Sequence, residues 1–536
     1  MKVSEAVGRT LAELGVAQAF GVIGSGNFTV TNALRAYGVP FVATRHEAGA
    51  ATMADAYSRM SGRVALVSVH QGCGLTNAMT GIAEAAKSRT PMIVLTADTP
   101  GSAVLANFRI DQDAAVTALG ATSERVHSAE TAVADTIRAY RTAVHERRTV
   151  VLNLPLDVQD AEATQTPVGA VEPPLPVRPN HESAEALAAM IGEASRPVFL
   201  AGRGARGAAP QIRELARKTG ALLTTTAVAH GLFNDDPWAL GISGGFASPL
   251  AVDLITDADL VVGWGCAFTK WTTRRGKLIS GKVAHVDIGG TAHRPVDLAV
   301  HGDAGQTAAD VTALVTAREG YRTPSVEARI AAGPGWPTPD LSTGTHIDPR
   351  ELSARLDDLL PRARVVAVDS GNFMGYPSGY LSVPDEFGFC FTQAFQSIGL
   401  GLFTAIGAAL AQPDRLPVAA VGDGGFMMGI ADLETAVRLR LPLVVVVYND
   451  SAYGAEIHHF GPDADLSTVT FPDPGIARIA EGFGCSAVTV RTGDDLAGVT
   501  AWLAGPRDRP LVVDARIASD GGSWWLAEAF GQVAES

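Results

Sequence analysis

Val418-Ala-Ala-Val-Gly-Asp-Gly-Gly-Phe426, followed by Leu441-Pro-Leu-Val-Val-Val-Val-Tyr-Asn-Asp450, decides the fold of this chain. Each apolar run has the length of a buried strand, and the interval between them predicts a helix over 430–440. Strand, glycine-rich turn, helix, strand is the repeating unit of a parallel sheet. If the two strands are neighbours, Asp423, Asn449 and Asp450 share one carboxyl edge, where open α/β sheets bind ligands. Glycines beside the acid let the backbone approach a phosphate, and the following helix turns its amino end towards it. Hard oxygen donors next to such a cradle suit Mg²⁺ or Ca²⁺. A lone acidic turn is also an ordinary helix cap. The second acidic strand end at matching depth is what points to a site.

Working outward, 536 residues exceed one hydrophobic core and imply three domains. The chain is 47% hydrophobic and 18% charged, with no apolar run long enough to span a membrane. A net charge of −14 argues against a nucleic-acid surface. Cys73, Cys266, Cys390 and Cys485 are widely spaced and make neither a zinc pattern nor a disulfide framework, so a reducing cytoplasm is expected. The amino terminus lacks the apolar stretch of a signal peptide.

Three α/β segments follow one another, each predicted to be a doubly wound parallel sheet. Residues 1–165 carry strand candidates at 19–23, 40–44, 64–69, 91–97 and 149–154, with helices at 46–60 and 76–88. A proline-rich linker over 167–179 separates them from a second segment, 182–325, with strands at 197–201, 221–225, 259–263 and 282–287. Gly333-Pro-Gly-Trp-Pro-Thr-Pro339 precedes the third segment, 345–536. The first and third segments read as one kind of fold used twice.

The interval from Asp423 to Asn449-Asp450 resembles the thiamine diphosphate motif of the acetohydroxyacid synthase, pyruvate decarboxylase and benzoylformate decarboxylase branch: Gly-Asp-Gly, helix, then a strand ending in Asn-Asn. The resemblance spans nearly the whole chain. It implies a pyrimidine-binding domain, a central Rossmann-like domain and a diphosphate- and metal-binding domain, with thiamine diphosphate and Mg²⁺ as cofactors. The metal would be held by Asp423, Asp450 and the carbonyl of Ala452. Asp450 stands where the family has Asn, so Asn449 is the alternative ligand. Gly422, Gly424, Gly425, Asn449 and Asn372 would contact the cofactor. The coenzyme would lie between the first domain of one subunit and the third of another, so a homodimer or homotetramer is expected.

In Thr44-Arg-His-Glu-Ala-Gly-Ala50, Glu47 matches the carboxylate that binds the aminopyrimidine; a first-turn glutamate also suits the helix dipole. In Ala394-Phe-Gln-Ser-Ile-Gly-Leu-Gly401, Ile398 matches the apolar wedge under the cofactor. The carbonyl of Gln396 matches its amino-group acceptor, at a position where the family commonly has glycine. Ser25 and His70, each after a strand, coincide with the serine and histidine of benzoylformate decarboxylase-like enzymes, and a histidine can carry protons near neutrality. Gln112 aligns with a glutamine near the reacting centre of acetohydroxyacid synthases. Met427, Met428, His458 and His459 are candidates for the substrate side.

Ala201-Gly-Arg-Gly-Ala-Arg-Gly207 in the middle segment is formally a dinucleotide fingerprint, but no acid ends the next strand near 221–228. FAD or ADP there stays open, with the missing acid counting against it. The tail around Asp520–Phe530 reads either as a lid or as a docked terminal helix.

The function implied is decarboxylation of a 2-oxo acid with carboligation to a second carbonyl, an aldehyde or ketone, as in acetolactate synthase. The alternatives are a plain decarboxylase, a thiamine diphosphate-dependent C–C lyase and, in another class, a non-catalytic scaffold subunit.

Overall fold

The computed structural model describes residues 1–164, 166–337, 341–521 and 523–526. Three six-stranded sheets succeed one another along the chain, and every strand pairing in them is parallel. Counted within each segment, the first and third sheets share the strand order 2-1-3-4-6-5, so one fold is used twice. The middle sheet runs 3-2-1-4-5-6, the doubly wound nucleotide-binding order.

The central strands are continuous apolar runs because helices cover both faces. Ala65–Val69 and Val444–Asn449 are buried along their whole length. In the first two segments three strands have no counterpart among the sequence candidates, Thr122–Arg125, Ala239–Ile242 and Leu298–His301; all lie at sheet edges and are four residues each. An edge strand is half solvated and carries little hydrophobic signal.

Helix Glu47–Ser61 of the first domain packs against helix Gly401–Ala411 of the third in one shared core. Small residues let the two backbones come close. A Cβ on Gly407 would lie 2.2 Å from the Met53 carbonyl oxygen. The loop before Glu47 is also fastened to the third domain, since the Arg45 N–H donates to Asp432 (2.8 Å) and the Arg45 guanidinium pairs with Glu434 (2.6 Å). Among the described residues no helix is long and apolar enough to cross a membrane.

Candidate active site

In a doubly wound sheet a crevice opens where the strand order reverses. In the third sheet that point lies between Arg364–Val368 and Leu416–Gly422, which are hydrogen-bonded neighbours. The first ends at Asp369 and the second at Asp423. Val444–Asn449 pairs with Leu416–Gly422 on its other side, Gly422 opposite Tyr448, so Asp450 reaches the same edge as Asp423.

Helical structure begins at Asp423 itself, as Asp423–Gly429. The helix expected over 430–440 is instead a 3₁₀ turn, Ile430–Asp432, and a short helix, Leu433–Arg438. Packing dictates the glycines after Asp423. A Cβ on Gly424 would sit 2.4 Å from the Tyr453 ring, and one on Gly425 would sit 2.5 Å from an Asp369 carboxylate oxygen.

The Asp423 and Asp450 carboxyl groups face each other, and the Gly424 and Asp450 N–H groups face Asp423. Burial raises the pKa of Asp423. Burial, and then the charge of Asp423, push Asp450 up to about 8. Among the described residues no ion pair joins either carboxylate to a cationic side chain. The Ala452 N–H faces Asp450, and Gly454 leaves room for that carboxylate, since a Cβ there would lie 2.2 Å from its Oδ2. Asn449 is turned away. Its Nδ2 donates to Asp514 (2.8 Å) and its Oδ1 accepts the Ser451 N–H (3.0 Å). Two buried carboxylates with no cationic partner and a carbonyl two residues on form a hard oxygen donor set that fits Mg²⁺. Among the described residues no group of three metal-ligating side chains occurs.

The turn carrying Gln396 and Ile398 lies over the same crevice. Gln396 has φ +61°, a left-handed conformation that favours glycine, and Gly399 follows at φ +87°. The departure from glycine at 396 has therefore kept a glycine-like backbone. Asp369, which sequence reasoning missed, anchors the far end of the turn. It is fully buried and accepts the N–H groups of Ser370 (2.8 Å), Gly399 (3.0 Å) and Leu400 (3.3 Å). Burial raises its pKa to about 6 against the pull of those donors. The signal available was an acid closing an apolar strand, the same one that marks Asp423.

Asn372 is buried beside Gly454, and its carbonyl and side-chain oxygen accept from the Ser523 hydroxyl. Trp525 packs fully buried against Gly375 and Tyr376. Ser523 and Trp525 of the tail are thus docked against the segment 372–376. The continuation of the tail, 527–536, lies outside the described residues.

The first sheet repeats the crevice between Gln18–Gly21 and Ala65–Val69. Ser25 and His70 follow these strands, and Ser25 Oγ lies 3.5 Å from His70 Nε2. His70 Nδ1 is 2.9 Å from the Gln71 carbonyl. A carbonyl only accepts, so Nδ1 carries the hydrogen and Nε2 is the atom presented to Ser25. Phe108 meets the imidazole edge-on. Gly24 admits the ring, since a Cβ there would lie 2.6 Å from it. Glu47 opens its helix and accepts from Asn77 Nδ2 (3.0 Å). Gln112 is buried with both ends of its amide in use. It accepts the Gly72 N–H (2.8 Å) and donates to Ala97 (3.1 Å) and Asn153 (2.8 Å).

The middle sheet has its own crevice at Gly202–Gly204, part of a cleft of about 1240 Å³ that also reaches Gln396. Gly202 and Gly204 are required by the neighbouring turn, for a Cβ on Gly202 would lie 2.2 Å from the Gly265 carbonyl oxygen. An acid does line this cleft. Asp287 comes from two strands away in the sheet rather than from the next strand in sequence.

Three family descriptions match the chain in order. They are the N-terminal thiamine pyrophosphate-binding domain over residues 1–116, the central domain over 184–311, and the C-terminal thiamine pyrophosphate-binding domain over 369–515. Among curated relatives, a sulfoacetaldehyde acetyltransferase of Alcaligenes xylosoxydans xylosoxydans is 28% identical over 85% of this chain and 82% of its own length. A probable 2-ketoarginine decarboxylase of Pseudomonas aeruginosa is 29% identical over 92% of this chain and 89% of its own. An acetolactate synthase of Mycobacterium bovis is 26% identical over 98% and 90%. A solved thiamine diphosphate-dependent 4-hydroxybenzoylformate decarboxylase of Rhodococcus jostii RHA1 shares the fold, with a TM-score of 0.82 at 22% identity over 97% of this chain and all of that one. The chain belongs to the thiamine pyrophosphate enzyme family, in the group that includes 2-oxo acid decarboxylases and acetolactate synthases.

Proposed function

We propose that this protein is a thiamine diphosphate- and Mg²⁺-dependent decarboxylase of a 2-oxo acid that ends its reaction by delivering a proton and releasing an aldehyde. The observation that carries this reading is the Ser25–His70 pair at the mouth of the first-sheet crevice. His70 Nε2 is oriented by the bond at Nδ1 and relayed to a hydroxyl, which is what a proton carrier needs.

Bound thiamine diphosphate supplies a nucleophilic carbon and an electron sink that lets CO₂ leave. Glu47 holds a proton at N1′ of the pyrimidine. Asp423, Asp450 and the Ala452 carbonyl hold the Mg²⁺; the inward bonds of Asn449 favour Asp450 over it as ligand. Binding the cation relieves the repulsion between the two carboxylates. Ile398 and the Gln396 carbonyl, on a turn anchored by Asp369, fix the cofactor's conformation. Gln112 shapes the His70–Gly72 turn from within the domain.

Two copies of the chain form the working unit. Exposed apolar side chains crowd both crevices: Leu105 and Phe108 at the first, Met428 and Phe460 at the third. Such rims mark surfaces that a second chain covers.

Transfer to a second carbonyl is the rival reading, supported by the acetyltransferase and acetolactate synthase among the relatives. Product analysis decides between them. With thiamine diphosphate, Mg²⁺ and a panel including pyruvate and benzoylformate, aldehyde equal to the CO₂ released supports plain decarboxylation. Acyloin or acetohydroxy acid as the main product rejects it.

A further inference from the structure

The turn that carries Gln396 and Ile398 is held at both ends by buried carboxylates, and they come from different domains. Asp369 holds residues 399–400 from the third domain. Glu84, on helix Cys73–Lys87 of the first domain, holds the other end: Oε1 accepts the Ala394 N–H (3.1 Å) and Oε2 the Phe395 N–H (2.7 Å). Glu84 is fully buried, and Arg59 Nη2 donates to it at 2.9 Å. Arg59 also donates to the Phe391 carbonyl (3.0 Å) and to Asp55 (3.0 Å), so one guanidinium spans the junction of the domains. Asp55 and Arg59 belong to the helix that Glu47 opens.

The energetics explain why such a cluster holds a turn. A buried carboxylate with two amide donors and an arginine is worth keeping only while every partner stays in place. Arg59 and the two amides pull the Glu84 pKa down against its burial. The Ala394 side chain is exposed, and the half-exposed Phe395 ring meets only Lys87 Nζ, 5.7 Å from its centroid, among the ring contacts of the described residues, so the two amide bonds to Glu84 are the directional hold on this end of the turn. Between the two anchors lie only Gln396, Ser397 and Ile398.

We propose that Glu84 is a positioning residue: by gripping the amides of Ala394 and Phe395 it sets where the Gln396 carbonyl and the Ile398 side chain stand in the crevice. This rests on the reading of Gln396 and Ile398 as the groups that fix the cofactor. The first domain thereby shapes the turn of its own chain, while its helix 47–61 carries Glu47 at the opposite end.

The test is Glu84→Gln, which keeps the shape but removes the charge and one acceptor. Amide hydrogen exchange of the cofactor-free protein comes first. Peptides covering 392–400 should exchange about tenfold faster, while those from helix Gly401–Ala411 stay near wild type. In the loaded enzyme, kcat should fall by about 10- to 100-fold, the cost of a small misplacement at a reacting centre, with thiamine diphosphate affinity and KM within about threefold. If Glu84→Gln does not fold, Glu84→Asp keeps the charge but withdraws it from the amides, and the same local rise in exchange is expected. Unchanged protection over 392–400 overturns the proposal. So does a loss of turnover accounted for entirely by weaker cofactor binding. Should the wild type bind no thiamine diphosphate, the proposed function fails instead, and the exchange arm alone decides whether Glu84 sets the turn.

Discussion

Asp423 and Asp450 bring their carboxyl groups together at the ends of two adjacent parallel strands, and Asp450 is raised from an ordinary 3.8 to about 8. Without a cation the folded pair holds a proton that the unfolded chain releases near 3.8. A group whose folded pKa is raised contributes stability that is fully present below the unfolded value and is lost as pH rises through the folded one. The metal-free protein should therefore lose stability between about pH 4 and pH 8, and added Mg²⁺ should stabilise it more at the upper end of that window. Thermal melts across pH, with and without Mg²⁺, check both. Asp450→Asn should flatten the pH dependence and keep the Mg²⁺ shift. Asp423→Ala should weaken Mg²⁺ binding by more than the ~10-fold typical of losing an outer-shell partner.

His70 and Ser25 form a graded pair. His70→Ala should lower kcat by about 10²-fold or more, the usual contribution of a positioned acid–base group. Ser25→Ala, one step further along the relay, should cost less. The diagnostic is the product. With His70 gone and an acceptor aldehyde supplied, release of free aldehyde should fall relative to acyloin, as read by chromatography of both. Equal aldehyde yields in His70→Ala and wild type contradict the proton-carrier role.

Gly407 sits where two helices from different domains touch. A methyl group there would lie 2.2 Å from the Met53 carbonyl, a backbone atom that cannot swing aside. Gly407→Ala should destabilise the protein by about 1–3 kcal/mol, the usual cost of overpacking a core. Chemical denaturation measures this. Because the same helix pair carries Glu47, turnover should suffer alongside stability.

What could be read from sequence was local. Asp423, Asn449 and Asp450 stood out because each closes an apolar strand, and the sheet registers them at one edge. Ser25 and His70 likewise follow strands that prove to be neighbours. Glu84 was not legible as a site residue, and Asp369 closes an apolar strand but shows nothing in sequence of what it holds, because the role of each lies in distant partners. Asp369 holds Gly399, 30 residues on, and Glu84 holds Ala394, 310 residues on. Asp287 was missed because it reaches the middle crevice from two strands across the sheet, not from the next strand in sequence. Edge strands such as Thr122–Arg125 escaped because half-exposed residues leave no apolar run. The engaged amide of Gln112 is a fact of packing, invisible in any motif.

Deuterium exchange at C2 of bound thiamine diphosphate, followed by quench-flow NMR in the presence of Mg²⁺, tests most directly whether one coenzyme lies between the first-domain acid and the third-domain cation site. Wild type should exchange the C2 proton far faster than free cofactor. Glu47→Gln should bind the cofactor yet lose exchange by about 10²- to 10⁴-fold, the range of a lost acid–base contribution. Exchange in Glu47→Gln at the wild-type rate would contradict it.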